Sequence, residues 1–202
     1  MDGAMTAISD RARQILDAEA AAIQAVEIDS EFERAVLVVE ACKGKVIVTG
    51  IGKAGYAAQK FAATLCSTGT PAVFMHPGEA AHGDLGVIGP EDCLFAFSTS
   101  GKTREVLEMI ELSRHLGPHK VIAITSHPDS ELHGLSDIVI NMGLITEPCS
   151  LGLTPTASIA VMSAIADALA LILMERKGFT KKDYGLRHHG GYLGAQARLD
   201  NT

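Results

Sequence analysis

Short apolar segments alternate with longer segments of helical period through the middle of this chain. Continuously apolar runs lie at residues 46–49, 72–75, 93–97, 121–125 and 138–141. Apolar side chains at helical spacing lie at residues 54–66, 103–116, 130–135 and 156–177. A strand that is apolar along its whole length is buried on both faces, as in a parallel sheet covered by helices. The alternation predicts an α/β fold, a three-layer doubly wound sandwich around a mainly parallel sheet of five strands.

The segments on either side of the sandwich complete one predicted domain over residues 1–202. Residues 1–43 carry apolar side chains at three- and four-residue steps, which predicts N-terminal helices. The sandwich is expected at residues 44–178, and a tail at residues 179–202 follows it. A chain of 202 residues with 47% hydrophobic positions is long enough to form its own core. Polar residues interrupt the most apolar segment, 157–174, so we predict a buried helix there and not a membrane span.

Composition narrows the class of function. The formal net charge is -7 and only 4% of the residues are aromatic, so the basic and aromatic surface typical of nucleic-acid binding is not expected. The chain starts without a basic segment followed by an apolar run, which argues against a signal peptide. Four widely spaced cysteines without a C-x-x-C pair predict reduced core residues of a cytoplasmic protein. They are Cys42, Cys66, Cys93 and Cys149. We also expect that the protein binds no membrane.

Two loops that follow predicted strands have the composition of an anion site. Residues 50–53 follow the first strand and residues 98–103 follow the third. Backbone N–H groups at a helix start have no intrahelical partner, so they bind an anion without basic charge. The second loop adds the hydroxyls of Ser98, Thr99, Ser100 and Thr103, while Gly101 permits close approach of the backbone. We predict a phosphate ester as ligand, the alternative being an ordinary strand-to-helix turn.

A nucleotide P-loop is not indicated by the sequence Gly-Lys-Thr at residues 101–103. That motif requires a glycine five residues before Gly101, and Ala96 occupies this position inside a predicted strand. The phosphate ester is therefore not expected to be a nucleoside triphosphate.

Five short motifs together resemble one known family. They are Gly-Ile-Gly-Lys at 50–53, Ser-Thr-Gly-Thr-Pro at 67–71, His-Pro-Gly-Glu-Ala-Ala-His-Gly-Asp-Leu-Gly at 76–86, Ser-Thr-Ser-Gly at 98–101 and Leu-Gly-Leu-Thr-Pro-Thr at 151–156. From about residue 44 to residue 194 the chain resembles the sugar isomerase (SIS) domain of arabinose-5-phosphate isomerases, and the block at 76–86 is the most specific match. The resemblance implies interconversion of D-ribulose 5-phosphate and D-arabinose 5-phosphate. This reaction feeds synthesis of the octulosonic acid Kdo for lipopolysaccharide or capsule.

Four residues take the family's catalytic positions: Lys53, Glu105, Glu147 and His188. An aldose-ketose isomerisation through an enediolate needs a proton-transfer group, a stabiliser of oxyanion charge and a phosphate anchor, but no redox cofactor. Glu147 and His188 fit the proton transfer; we favour Glu147 for the carbon-bound proton and His188 for ring opening, although residue types alone leave both open. Lys53 fits oxyanion stabilisation, and Glu105 fits orientation of Lys53 or transfer of the hydroxyl proton. The expected substrate-binding residues are Gly52, Ser67, Gly69, Thr70, His76, His82, Ser98, Thr99, Ser100 and Thr103.

The block at 76–86 also contains potential metal ligands. His76 and His82 are six residues apart, with Glu79 between them and Asp84 beyond. Because the isomerisation needs no Lewis acid, we expect zinc at His76 only as an inhibitor, and we expect both histidines to contact substrate. The remaining histidines at helix ends and turns are predicted at the surface: His115, His119, His127 and His133.

The resemblance has departures and leaves alternatives open. Lys102 stands where relatives often have an acid, His189 replaces a proline, and the pair of cystathionine-β-synthase-type domains found in many relatives is not in this sequence, which predicts a stand-alone form. One alternative is another SIS isomerase acting on a hexulose or heptulose phosphate. A second is a non-catalytic sugar-phosphate sensor. Uncovered apolar stripes predict a homo-oligomer, a tetramer as in the family, in which the tail brings His188 to a neighbouring subunit's site.

Overall fold

The computed structural model describes residues 2–117 and 119–199 of the chain. Two helices precede the sheet, α1 (Asp2–Gln24) and α2 (Ser30–Ala41). The sandwich contains β1 (Val46–Gly50), α3 (Gly52–Ser67), β2 (Ala72–Met75), α4 (Pro77–Ala80), β3 (Cys93–Phe97), α5 (Arg104–Ser113), β4 (Lys120–Thr125), α6 (Glu131–Leu135), β5 (Ile138–Asn141) and α7 (Ala157–Arg176). Short 3₁₀ helices lie at Asp84–Val87 and Arg114–Leu116, and the tail contains α8 (Lys181–Arg187) and α9 (Gly191–Leu199).

The five strands form one sheet in the order β2-β1-β3-β4-β5, and every neighbouring pair is parallel. Val46 of β1 is in register with Ala72 of β2 and with Cys93 of β3. All strand starts therefore lie at one edge of the sheet, and all strand ends lie at the opposite edge. We call these the amino edge and the carboxyl edge. The predicted fold class is confirmed, with the sheet wholly parallel.

Helices cover both faces of the sheet and create two cores. Because successive strand side chains point to opposite faces, Val46 and Val48 pack against α2, α3 and α7, whereas Ile47 packs against α5. The rings of Phe61 and Phe95 meet edge to face in the first core, with centroids 5.2 Å apart. The layers hold the strand ends in fixed positions, so the loops at the carboxyl edge are presented by a rigid frame.

Helix α7 belongs to the first core. Within the described residues, it is the one helix long and apolar enough to cross a membrane by length and composition. Its buried positions recur every three to four residues, which is one face of a helix packed into the domain. They are Ala157, Ser158, Val161, Met162, Ile165, Ala166, Leu169, Ala170 and Leu173. The prediction of a buried helix is confirmed.

The tail contains two helices that the sequence analysis did not predict. Thr180 and Asp183 form a reciprocal cap at the start of α8: the Thr180 hydroxyl accepts from the Asp183 N–H at 3.2 Å, and the Asp183 carboxylate accepts from the Thr180 N–H at 2.9 Å. The tail leaves the sandwich at the amino edge, because Lys177 after α7 donates to the Thr70 hydroxyl at 2.7 Å.

The predictions for cysteines and histidines have different outcomes. All four cysteines are free thiols, as predicted, but the predicted core position is wrong for Cys66, which is exposed, and of the four only Cys93 is fully buried. The surface prediction is wrong for His119, which is 1% exposed and bonds through Nε2 to the Ser113 hydroxyl at 3.0 Å. Burial first, and then the charge of Arg114, lowers the pKa of His119. It therefore has a structural role at the amino edge, beside the start of β4.

Candidate active site

The loops after β1 and β3 meet at the carboxyl edge, where the strand order reverses. In open α/β sheets this switch point is the usual place for a ligand. Helix α3 begins there after Ile51, and α5 begins there after Thr103. Neither of these cap residues makes a side-chain hydrogen bond to its helix. The dipole and N–H groups of both helix starts are thus directed to a common place where an anion would be stabilised.

The loop after β3 is held in shape by its own hydroxyls. Buried Ser98 accepts the Gly101 N–H at 3.1 Å, and its Oγ lies 2.8 Å from the hydroxyl oxygen of Thr103. The carbonyl of Thr99 accepts from the Ser126 N–H at 3.1 Å and from the Thr125 hydroxyl at 3.2 Å, which ties the loop to β4. The loop is a preformed cradle with Thr99 half-buried beside it and Ser100 exposed.

Two adjoining cavities lie beside this cradle, with volumes of about 450 and 360 Å³. Ser126, His127 and Leu144 line both. Lys102 lies on the wall of the larger cavity, and Thr99 and Glu147 lie on the wall of the smaller one. Cavities of this size suit small-molecule ligands. We call the smaller one the Glu147 cavity.

The Glu147 carboxylate caps the N-terminus of α7. Its Oε2 accepts from the backbone N–H groups of Thr156 at 2.8 Å and Ala157 at 2.9 Å, and its Oε1 accepts from that of Ser158 at 3.2 Å. Burial alone would raise the pKa of Glu147, but the nearby Ser158 hydroxyl and the backbone N–H groups of Thr156, Ser158 and Ala157 outweigh it, so the pKa is lowered. Glu147 is therefore a fixed anion beside the cradle.

Lys53 and Glu105 are exposed side chains at the starts of α3 and α5. They form no ion pair with each other in the described part of the chain, so Glu105 does not orient Lys53 here. Glu105 instead shares with His82 the wall of a separate cavity of about 170 Å³ between α4 and α5. Lys53 stays at the carboxyl edge, one residue after Gly52, where φ is +61°.

Three predicted substrate-binding residues lie at the other end of the sheet. Helix α3 ends at Ser67, and Gly69 and Thr70 lie in the turn between α3 and β2. This turn is at the amino edge, because the carbonyl of the following Pro71 accepts from the Val46 N–H at 2.9 Å. A strand of five residues spans roughly 16 Å, so these side chains are remote from the cradle of the same chain. The parallel topology separates them, since every strand entry is at the edge opposite to every strand exit.

His188 lies far from the cradle in sequence, and its contacts are with Tyr184 of its own helix. It ends α8, its Nδ1 donates to the Tyr184 carbonyl at 3.0 Å, and its ring stacks on the Tyr184 ring with centroids 3.9 Å apart. The tail that carries it leaves the domain at the amino edge. A single chain does not bring His188 to Glu147.

The predicted metal ligands do not assemble. His76 follows β2, and its Nδ1 accepts from the Gly78 N–H at 3.2 Å as the cap of α4. Among residues 2–117 and 119–199, no three His, Cys, Asp or Glu side chains are grouped so as to hold a metal ion. Within these residues Glu79, His82 and Asp84 do not form a metal site with His76, whose Nδ1 is used by the helix cap, and inhibitory zinc at His76 stays a prediction.

Sequence reasoning missed Ser126, His127 and Ser158, which line the Glu147 cavity. Ser126 and His127 directly follow β4, and Ser158 lies in the first turn of α7. Their positions after a parallel strand and at a helix start were signals that could have identified them. His127 is exposed, as predicted, but on the wall of both cavities.

A wholly parallel sheet with a candidate anion cradle at its switch point defines this protein as an α/β domain of the doubly wound class. Residues 41–172 match the SIS domain, and the chain belongs to this family.

Curated relatives of this chain are named arabinose 5-phosphate isomerases. The arabinose 5-phosphate isomerase KdsD of Yersinia pestis is 41% identical over 191 residues, which cover 93% of this chain and 57% of that protein. KdsD of Escherichia coli K12 is 44% identical over 158 residues, covering 78% of this chain and 48% of that protein. The chain thus spans about half the length of the curated relatives it matches.

Solved structures match over nearly their whole length. One from Bacteroides fragilis, assigned as a phosphosugar isomerase involved in capsule formation, has a TM-score of 0.89 at 43% identity, covering 92% of this chain and 99% of that chain. The structure of an E. coli CFT073 protein in complex with arabinose 5-phosphate has a TM-score of 0.87 at 37% identity, covering 91% of this chain and 98% of that chain.

Proposed function

We propose that this chain is an aldose-ketose isomerase that interconverts D-ribulose 5-phosphate and D-arabinose 5-phosphate in the cytoplasm and supplies Kdo synthesis. The observation that carries the proposal is the position of Glu147 in a cavity that adjoins the cradle after β3. Support comes from the relatives named arabinose 5-phosphate isomerase and from the similar structure solved with arabinose 5-phosphate.

The first step is anchoring of the phosphate in the cradle. The N–H groups at the starts of α3 and α5 supply positive dipole ends, and Ser100 and Thr103 supply hydroxyls. This arrangement binds a dianion in a protein of net charge -7 without a cluster of basic residues. A phosphate held there fixes the sugar carbons over the neighbouring Glu147 cavity.

The second step is proton transfer between adjacent sugar carbons. We assign the carbon-bound proton to Glu147, which is an anion held in place beside the cradle by three backbone N–H groups. Lys53 at the start of α3 stabilises the oxygen charge of the enediolate. His188 assists ring opening, since an imidazole both donates and accepts a proton.

His188 reaches the site from another copy of the chain. The tail carries three exposed apolar side chains, Leu186, Tyr192 and Leu193, and the loop around the Glu147 cavity exposes Leu144, Leu151 and Leu153. The three leucines of the loop are 75–85% exposed, which is unfavourable for apolar surface unless another chain covers it. A homo-oligomer, with the tetramer as the expected form, places the tail of one copy over the cavity of another.

A coupled assay on purified protein tests the proposal against pentose, hexose and heptose phosphates. We expect turnover of ribulose 5-phosphate and arabinose 5-phosphate, and loss of turnover in Lys53→Ala without loss of folding, since Lys53 is exposed. Turnover of only a hexulose or heptulose phosphate would replace the substrate. Binding of sugar phosphate without any turnover would make the protein a sensor and refute the proposal.

A further inference from the structure

Three buried serine hydroxyls lie beside the candidate site without a hydrogen-bond partner. In the described part of the chain, the side-chain oxygens of Ser126, Ser130 and Ser158 are buried and unpaired. Ser126 lines both cavities at the carboxyl edge, Ser130 lines the larger one, and Ser158 lines the Glu147 cavity. A buried polar group without a partner is unfavourable, and such groups concentrate where a ligand supplies the missing bond.

Ser158 differs from the other two by its relation to Glu147. It is 2% exposed, and its backbone N–H donates to Oε1 of Glu147 at 3.2 Å. The other carboxylate oxygen, Oε2, already receives the N–H groups of Thr156 and Ala157. Oε1 therefore has acceptor capacity left, and it is the carboxylate oxygen bonded to the backbone of Ser158.

We propose that Ser158 is a substrate-binding residue whose hydroxyl links the Glu147 carboxylate to a hydroxyl group of the sugar. This inference rests on the proposed function, because it takes the ligand of the Glu147 cavity to be a sugar phosphate. The Ser158 hydroxyl has no hydrogen bond of normal geometry, yet it lies close enough to the carboxylate to lower the pKa of Glu147. Rotation about the Cα–Cβ bond moves a serine hydroxyl between staggered positions, so a small adjustment suffices to complete this bond.

The charge of Glu147 fixes the direction of the hydrogen bonds. An ionised carboxylate only accepts, so the single proton of the Ser158 hydroxyl is donated to Oε1. The hydroxyl oxygen is then left with lone pairs that accept from the ligand. The lowered pKa of Glu147 supports the ionised form. A sugar hydroxyl donates such a bond, whereas a phosphate dianion has no proton to donate, so Ser158 serves the sugar and not the phosphate.

The test compares Ser158→Ala with Ser163→Ala, a matched substitution on the same helix α7 at a position that does not line either cavity. Thermal unfolding is followed without ligand, with inorganic phosphate and with arabinose 5-phosphate, and kcat and KM are measured for each protein. We expect Ser158→Ala to unfold close to the wild-type temperature without ligand, since the hydroxyl it removes makes no hydrogen bond of normal geometry.

With ligand, we expect Ser158→Ala to keep the stabilisation by inorganic phosphate and to lose kcat/KM by roughly 10- to 100-fold. Ser163→Ala should match wild type in every measurement. Unchanged kcat/KM, or equal loss of stabilisation by inorganic phosphate and by the sugar phosphate, would overturn the inference. If Ser158→Ala fails to fold, Ser158→Cys, which keeps the side-chain shape with a weak donor, takes its place with the same expected outcomes.

The wild-type protein separates this inference from the proposed function. If wild type turns over a different sugar phosphate, the proposed substrate is wrong, and the comparison of variants is made with that sugar phosphate instead. If no sugar phosphate stabilises wild type more than inorganic phosphate does, no sugar hydroxyl is bound and the inference on Ser158 is wrong.

Discussion

Oε2 of Glu147 lies 2.8 Å from the backbone nitrogen of Thr156, so a loop carboxylate nine residues away in sequence supplies the cap of helix α7. The same carboxylate lines the cavity beside the anion cradle. In the proposed function, stability of the core helix and chemistry of the site therefore depend on one side chain.

Glu147→Gln tests how much the charge of this side chain stabilises the start of α7. Loss of the charge at the start of α7 should lower the free energy of unfolding by about 1–2 kcal/mol at pH 7, measured by urea unfolding. Because the folded pKa of Glu147 is lowered, its stabilisation is complete above the unfolded pKa of about 4.3 and is lost as pH falls through the folded value. Wild type and variant should therefore converge in stability at acid pH; a constant difference down to about pH 2 would contradict this account.

Gly101→Ala should damage the cradle. A Cβ at this position would lie 1.9 Å from the Ser130 Oγ, and φ is +63°, which disfavours any side chain. We expect a loss of about 2–4 kcal/mol in the free energy of unfolding, together with loss of phosphate binding. Gly134→Ala is the control, since its Cβ would meet no atom within 4 Å and α6 should gain about 0.5–1 kcal/mol. Equal effects of the two substitutions would exclude a special role for Gly101.

Ser98 and Ser100 should respond differently to alanine. Ser98 is buried and joins Gly101 to Thr103, so Ser98→Ala should lower both stability and phosphate binding, each by about 1–2 kcal/mol. Ser100 is exposed, so Ser100→Ala should weaken binding of every phosphorylated sugar by about 1–3 kcal/mol while leaving the melting temperature unchanged. Calorimetric titration with inorganic phosphate and thermal unfolding measure both quantities. Full phosphate affinity in Ser100→Ala would argue against the cradle as the phosphate site.

Mixing two inactive proteins tests whether His188 acts on another copy. His188→Ala should lower turnover by roughly 10²–10⁴ while phosphate binding persists. After reversible dissociation, His188→Ala combined with Lys53→Ala should regain part of the wild-type activity, because hybrids contain sites with both side chains intact. Light scattering should give a mass above that of one chain. A monomer, or no recovery despite demonstrated subunit exchange, would place both residues in one chain's site.

Cys149 should be a fast-reacting thiol. Its Sγ accepts the backbone N–H groups of Thr154 at 3.2 Å and Leu153 at 3.3 Å, and these bonds lower its pKa to about 7. The rate of alkylation at this site should therefore rise with pH around that value, and Cys149→Ala should remove that phase. Cys66→Ala serves as control, since Cys66 is exposed whereas Cys149 is half-buried, so exposure alone would make Cys66 the faster thiol. A pH midpoint near about 8.5, the value of an ordinary thiol, would show that these N–H groups do not act on the sulfur.

The apolar runs predicted all five strands within one residue at each end, because a buried parallel strand needs an uninterrupted apolar segment. The cradle after β3 was predictable for a similar reason, since its hydroxyls and glycine follow one strand directly. The helices of the tail were missed although Thr180 and Asp183 carry the signature of a helix cap. His119 was misplaced because burial depends on what packs over a loop, and that is not a local property.

The sequence by itself determined the alternation of strands and helices, the chemistry of the loop after β3 and the membership of the SIS family, since these depend on periodicity and on residues adjacent along the chain. Only the tertiary structure decided that Glu147 caps α7 beside buried Ser158, that Glu105 lies with His82 and forms no ion pair with Lys53 among the described residues, and that Ser67, Gly69 and Thr70 lie at the amino edge. The reason is that strand order and helix packing set the distances between residues far apart in sequence. A hydrogen bond forms only where they bring a donor and an acceptor within about 3 Å.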